Sequence, residues 1–260
     1  MSENPLPPSC PLPAEGGEAR ILLGHGAGTR LTRQLLENIF YPAFDNPIQK
    51  QGADSAILPA QTGALAFTTD AYVVNPLEFA GGNIGTLAIC GTINDLAMVG
   101  ALPVALSASF ILEEGLPLDK LRRVVATMAE VASAAGVSIV TGDTKVVERG
   151  KGDGIFITTS GIGRCLWPTA IMPQAIAPGD CIILSGDVGR HAVAILAARQ
   201  GFETRPVINS DVASLHASVQ NIFDTGVLPH CMRDLTRGGL GTALLELARQ
   251  SGLDCEIDEN

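Results

Sequence analysis

The sequence predicts an α/β protein, and three observations carry that prediction. Short apolar runs that end at glycine alternate with longer stretches whose apolar residues recur at helical spacing. Aromatic residues make up only 4% of the chain, so the core has to be built from Ala, Val, Ile and Leu. The 29 glycines are many for a helical bundle and suit tight loops whose backbone faces a ligand. The 260 residues allow one large domain or two modest ones.

The opening stretch, residues 1–19, carries Pro5, Pro7, Pro8, Pro11 and Pro13 among small and polar residues and reads as an extended or disordered leader. Arg20–Leu23 reads as a short strand. It runs into Gly24-His25-Gly26-Ala27-Gly28 and an amphipathic helix over Leu31–Phe40. A glycine turn before a helix offers free N–H groups to an anion, although the chain has no G-x-x-x-x-G-K-[ST] loop. His25 there either contacts a phosphate or substrate, or caps and packs. Gln51–Leu58 reads as a turn into a strand with Asp54 at its start, and Leu65–Val74 as a stronger strand with Asp70 inside it. Ile84–Val99, stopped by Gly100, is apolar almost all round and should be a buried helix carrying Asn94 and Asp95.

Val104–Leu112 is a long apolar strand. A helix follows from Pro117 to Gly136, with its stripe at Leu121, Val124, Val125, Met128 and Val131. Val137–Val140 is a buried strand expected to break at Gly142 and present Asp143, Thr144 and Lys145 together. Ile155–Thr159 is the next strand. Trp167 to Gly179 reads as a turn-rich crossing, dividing the chain into 20–167 and 168–260. Beyond it come a buried strand over Asp180–Ser185, helices over Arg190–Gln200, Ser214–Phe223 and Leu240–Gln250, and a strand beginning at Asp254.

Net charge is −10, which argues against a general nucleic-acid surface. The six cysteines are scattered, with no C-x-x-C pair, and read as mostly buried thiols in a reducing compartment. No apolar run is long enough to span a membrane, and the N-terminus lacks a signal peptide's apolar core, so a cytoplasmic protein is expected.

Asp54, Asp70, Asn94, Asp95 and Asp143 recur at strand ends, in a strand or on a buried helix. A carboxylate there needs a partner, and Mg²⁺ shared with a polyphosphate is one. Asp54, Asp70, Asp95 and Asp143 are therefore candidate metal ligands. Lys145 is a candidate proton carrier or phosphate contact.

Six motifs resemble one family: G-H-G-A-G, A-F-T-T-D-A-Y-V-V, G-G-N-I-G-T-L-A-I-C-G-T-I-N-D-L-A-M, S-F-I-L-E-E-G-L-P, I-V-T-G-D-T-K-V-V-E-R-G-K-G-D-G and D-L-T-R-G-G. They are similar to those of HypE, the carbamoyl dehydratases of nickel–iron hydrogenase maturation. This family sits in the superfamily of aminoimidazole ribonucleotide synthetase, selenophosphate synthetase and thiamine monophosphate kinase. The resemblance runs from about Ile21 to the end. It implies two α/β domains, an ATP-binding first domain that dimerises through its mixed sheet, and a second domain that is incomplete here. It implies ATP and Mg²⁺ as cofactors, with HypF and a HypC–HypD complex as partners. The reaction implied is ATP-dependent dehydration of a carbamoylated C-terminal Cys to a thiocyanate. On that basis Gly24, Gly26, Gly28, Asp70, Asn94, Asp143, Thr144, Asp234, Thr236 and Arg237 are expected around ATP, and Lys145 and His25 at the reacting group.

Two departures stand out. Thr29 stands where the family's loop commonly continues with Gly. The acceptor Cys of the family lies on a C-terminal tail, whereas this chain ends at Asn260 with no Cys there, so the sequence reads as truncated and inactive by itself. The alternatives are another ATP-using enzyme of the superfamily or a dimeric docking module. The absence of Cys from Gly24–Arg30 argues against selenophosphate synthetase.

Overall fold

Four strands form one mixed sheet, and everything placed at the candidate site is hung on it. The computed structural model describes residues 19–167 and 171–257. The Pro-rich leader with Cys10, and residues 168–170 and 258–260, lie outside the described residues.

A 3₁₀ turn (Leu23–Gly26) leads into α1 (Arg30–Leu35). The helix loosens into a π turn (Leu36–Phe40) and ends as α2 (Tyr41–Ala43). The expected strand at Arg20–Leu23 is reduced to a single bridge between Arg20 and Pro117. Ile21 is fully buried and exchanges backbone bonds with Leu116 and Gly115, so its apolar signal reports burial under a loop. No strand forms at Gln51–Leu58, where a 3₁₀ turn (Gln49–Gln51) is followed by an irregular, mostly exposed stretch.

The sheet is built from β1 (Leu65–Tyr72), β4 (Ala101–Glu113), β5 (Ile139–Val147) and β6 (Ile155–Cys165), in the order β1-β6-β4-β5. A small hairpin of β2 (Glu78–Phe79) and β3 (Gly82–Asn83) stands apart. β6 is antiparallel to both its neighbours, while β4 and β5 are parallel. A parallel pair needs a crossover, which α4 (Leu118–Ala134) supplies. β5 does not break at Gly142. The strand passes straight through it, and a Cβ there would lie 2.1 Å from the Ala108 carbonyl oxygen. The glycine marks a close approach of two strands and not a turn.

α3 (Ile84–Met98) covers one face of this sheet. The Asn83 side chain caps it by accepting from the N–H groups of Gly85 at 2.8 Å and Thr86 at 3.2 Å, and Gly100, in a left-handed conformation, follows its last turn. α4 packs across α3 at Gly85, where a Cβ would lie 2.6 Å from the Val124 carbonyl oxygen. Ile84, Ile89, Ile93, Leu121, Val124 and Met128 join Leu106, Phe110, Leu112, Ile155 and Ile157 in one core. The opposite face of the sheet is uncovered. Leu65 is 56% and Phe67 70% exposed, and Ile111 shares that face.

The second half contributes α5 (Arg190–Gln200), α6 (His216–Asp224) and α7 (Gly239–Ser251), as expected. Among the described residues no strand follows Cys165. Asp180–Ser185 is irregular, with Ile183 87% exposed, and residues 254–257 form no strand either. Apolar alternation signals a strand only where a neighbouring strand is present to pair with it. This half docks on the first through the β2–β3 hairpin. The Ser210 N–H donates to the Ala80 carbonyl at 2.8 Å, and Phe79 meets the His191 ring edge-on. The cysteines differ from expectation: of the five described, all are free and only Cys90 is buried. Among the described residues no helix is long and apolar enough to cross a membrane.

Candidate functional site

Alternation along β1 points Thr68, Asp70 and Tyr72 toward α3, and leaves Phe67, Thr69 and Ala71 on the uncovered face. The α3 side meets them with Asp95, Thr92 and Gly91. Thr68 Oγ1 donates to Asp95 Oδ2 at 2.6 Å, and the Tyr72 hydroxyl stands 3.5 Å from Thr92 Oγ1. Thr92 and Thr159 bond each other at 2.5 Å beneath it, and Thr159 donates to the Ala88 carbonyl. Gly91 is required here, because a Cβ would lie 2.2 Å from the Tyr72 hydroxyl oxygen.

Asp234, in the loop before α7, comes up to the same place. Burial pushes the Asp234 carboxyl above the ordinary carboxylate range, and the charges of Asp95 and Asp70 push it further. Asp95 is raised in the same way, first by burial and then by Asp70, against the lowering effect of the Thr68 hydrogen bond and the Arg233 charge. Three carboxylates at one place, two of them raised by burial and by their acidic neighbours, make a local well for a cation. Arg233 supplies part of the compensation, but it is also ion-paired with Glu246 on α7.

A second group gathers at the other edge of the sheet. Asp143 and Lys145 lie two residues apart on β5 and share the uncovered face, while Thr144 between them is buried. Lys145 Nζ donates to both Asp143 carboxylate oxygens, at 2.8 and 2.6 Å, and the Thr144 N–H donates to one of them. This pairing, the Lys145 hydrogen bond first, holds the Asp143 carboxyl below its ordinary range. The glycine turn belongs to this group. Gly26 sits against β5, where a Cβ would lie 2.4 Å from the Val146 nitrogen. An open groove of about 320 Å³ runs beside Gly28 and Thr29, over α1 as far as Tyr41.

The expected site is therefore divided. Asp70 pairs with Thr159, Thr159 with Ala108, and Ala108 with Gly142, which puts Asp70 and the Asp143 strand on opposite edges. Three strand spacings of about 4.8 Å put these edges roughly 14 Å apart. The two groups also face opposite sides of the sheet. The four acids expected to share a metal do not converge in one chain, since Asp54 is exposed in the irregular stretch and Asp143 is on the far edge. Among the described residues no three acidic, His or Cys side chains stand close enough to hold a metal alone. Mg²⁺ commonly takes one or two carboxylates and completes its shell with substrate phosphates and water, so the Asp70, Asp95 and Asp234 oxygens suit an ion that arrives with a nucleotide.

Two other residues have structural partners. The Asn94 amide is occupied at both ends, with Nδ2 donating to the Ala213 carbonyl at 3.0 Å and Oδ1 accepting from the Leu215 N–H at 2.7 Å. It ties α3 to the second half of the chain. His25 is 1% exposed, and its Nδ1 accepts from the Leu22 N–H at 2.9 Å. Burial holds its ring below the ordinary histidine range. Thr236 and Arg237 are exposed in the turn between Asp234 and α7. Thr68 and Arg233 were missed by sequence reasoning. Period-2 alternation does put Thr68 on the face of Asp70, but its partner on α3 has no signal in β1.

Two family profiles match the chain: AIR synthase related protein, N-terminal domain, over residues 52–165, and the C-terminal domain of the same proteins over residues 177–260. Carbamoyl dehydratase HypE of Cupriavidus necator is 51% identical over 92% of this chain and 69% of its own length. A crystal structure of hydrogenase maturation protein HypE in complex with ATP superposes with a TM-score of 0.86 at 49% identity, covering 88% of this chain and 68% of that one. A HypE–HypF complex gives a TM-score of 0.70 at 43% identity, covering 84% and 70% of the respective chains. With half the aligned residues shared over nearly its whole length, the chain belongs to the HypE family of carbamoyl dehydratases, within the AIR synthase related proteins.

Proposed function

We propose that this chain binds ATP with Mg²⁺ and uses it to dehydrate the thiocarboxamide of a C-terminal cysteine to a thiocyanate, the source of the cyanide ligands of nickel–iron hydrogenase. The single observation that carries this reading is the similarity, at 49% identity, to a HypE whose structure holds ATP. The acid cluster on the α3 side of β1 supports it. Asp70, Asp95 and Asp234 supply oxygens for the ion. An ion held there would supply positive charge against the polyphosphate during phosphoryl transfer. Gly24, Gly26 and Gly28, with Thr144, Thr236 and Arg237, line the nucleotide's surroundings.

An amide oxygen is a poor leaving group. Phosphorylation of that oxygen forms an O–P bond. The C–O bond then breaks with phosphate leaving, and the nitrogen gives up both its protons as the C≡N bond forms, one to solvent as the oxygen is phosphorylated and one to the departing phosphate. Lys145, oriented by Asp143, holds the carbamoyl oxygen and assists proton removal.

Residues 20–167 act as the ATP-binding and dimerisation domain, and 168–260 as the second domain. The exposed Leu65, Phe67 and Ile111 support a homodimer formed through the open sheet face. The two groups lie at the two edges of that sheet, and a composite site forms where the β1 edge of one protomer meets the β5 edge of its partner. HypF is the expected carbamoyl donor, supported by the HypE–HypF relative. The HypC–HypD complex is the expected acceptor of cyanide, and the cytoplasm the expected compartment.

The test is to incubate the chain with Mg²⁺, ATP and a peptide ending in S-carbamoyl cysteine, and to follow the peptide by mass spectrometry. Loss of one water that depends on ATP and is absent for Asp70→Asn supports the reading. ATP binding without that loss overturns it.

A further inference from the structure

Thr68 and Asp95 make a short hydrogen bond, 2.6 Å, between elements 27 residues apart in sequence. The contact between β1 and α3 has two ends. At one end, the Tyr72 hydroxyl lies over Gly91 and is held by shape. At the other end a single hydroxyl reaches a single carboxylate oxygen. Around Asp95 stand two charges that repel it, Asp70 and Asp234, and one that attracts it, Arg233. A carboxylate so placed, with two rotatable bonds, turns toward the cation unless something else holds it. The Thr68 hydroxyl has one proton to give and gives it to Oδ2, which leaves Oδ1 for another partner. A hydrogen bond to an ionised acceptor is among the stronger kinds, and this one spans a half-buried gap.

We propose that Thr68 is a positioning residue: its hydroxyl aims the Asp95 carboxylate at the Asp70 side of the cluster, where the Mg²⁺ of bound ATP is coordinated, and away from Arg233. The proposal rests on the reading of Asp95 as one of the acids that meet Mg²⁺–ATP. The alternative role for Thr68 is packing, through its methyl group against α3.

Two substitutions separate the roles. Thr68→Val keeps the shape and loses the proton, and suits a strand. Thr68→Ser keeps the proton and loses the methyl. The measurement is the Mg²⁺ concentration giving half-maximal ATP binding to the chain, by titration with a fluorescent ATP analogue, alongside the melting temperature without ligand. Thr68→Val is expected to need about tenfold more Mg²⁺, and Thr68→Ser to stay within about threefold of wild type. Thr68→Ala repeats the measurement if the valine variant does not fold. Equal impairment of the serine and valine variants, or a valine variant like wild type while Asp95→Asn is impaired, overturns the proposal alone. ATP binding that Asp95→Asn leaves unchanged overturns the underlying reading and the proposal with it.

Discussion

Two groups of acids sit on one sheet under opposite electrostatic conditions. On the α3 side, Asp70, Asp95 and Asp234 are partly withdrawn from water, and burial first, then neighbouring carboxylates, raise Asp95 and Asp234 above the ordinary carboxylate range. On the open side, Asp143 is bathed in solvent and neutralised by Lys145, with both side chains 62% exposed, and its carboxyl is lowered. Similar side chains have opposite shifts because burial penalises a carboxylate, whereas a fixed ammonium rewards it. The first group carries three acids against the single attracting charge of Arg233. The second is already ion-paired within itself. The two groups are held apart, at opposite edges and on opposite faces of the sheet.

The largest expected effect tests whether the two groups work together across a dimer. Asp95→Asn and Lys145→Ala should each lose at least about 100-fold in dehydration rate. Mixed after co-refolding, they should recover roughly a quarter of wild-type activity, because half the dimers are mixed and each has one intact composite site. No recovery on mixing would mean that each site is complete within one chain.

A smaller effect sharpens the contrast in charge. The native pKa of Asp234 is raised, so its favourable contribution to stability is fully present below the ordinary carboxylate range and is lost as pH rises through the raised value. Asp234→Asn removes that loss. The variant should melt about 2–4 °C above wild type near neutral pH, measured without Mg²⁺ or nucleotide. The difference should shrink as pH falls and wild-type Asp234 takes up its proton. A variant that melts lower at neutral pH would show that the charge is compensated in the free protein.

The smallest effect is on the open edge. Lys145→Ala should change unfolding free energy by less than about 1 kcal/mol in urea titrations at neutral pH, since an exposed pair is screened and costs side-chain entropy. A loss well beyond this would mean that the pair holds β5 in place, and its role would then be structural.

Much of the fold was legible because it is local. The caps and stops of α3 and α4, the alternation of β1 and the apolar length of β4 are properties of neighbouring residues. Errors fell where a local signal needed a distant partner. Ile182 and Ile183 look like strand residues yet pair with nothing among the described residues, and Ile21 is buried by loop contacts with Leu116 and Gly115. Gly142 looked like a break, but it is the point where the Ala108 carbonyl comes close.

The sequence by itself determined the helices and the four strands of the sheet, the acids, the motifs that place the chain in its family, and which residues of β1 share a face. Only the tertiary structure decided which face α3 covers, and therefore that Asp70 looks inward while Asp143 and Lys145 look outward. It also decided that Asp234 reaches Asp95 from far along the chain, and that Asn94 spends its amide on the backbone at Ala213 and Leu215. Alternation along a strand is set by the pleat of its own backbone. Strand order, register and the docking of a distant loop depend on long-range contacts, which no short window of sequence contains.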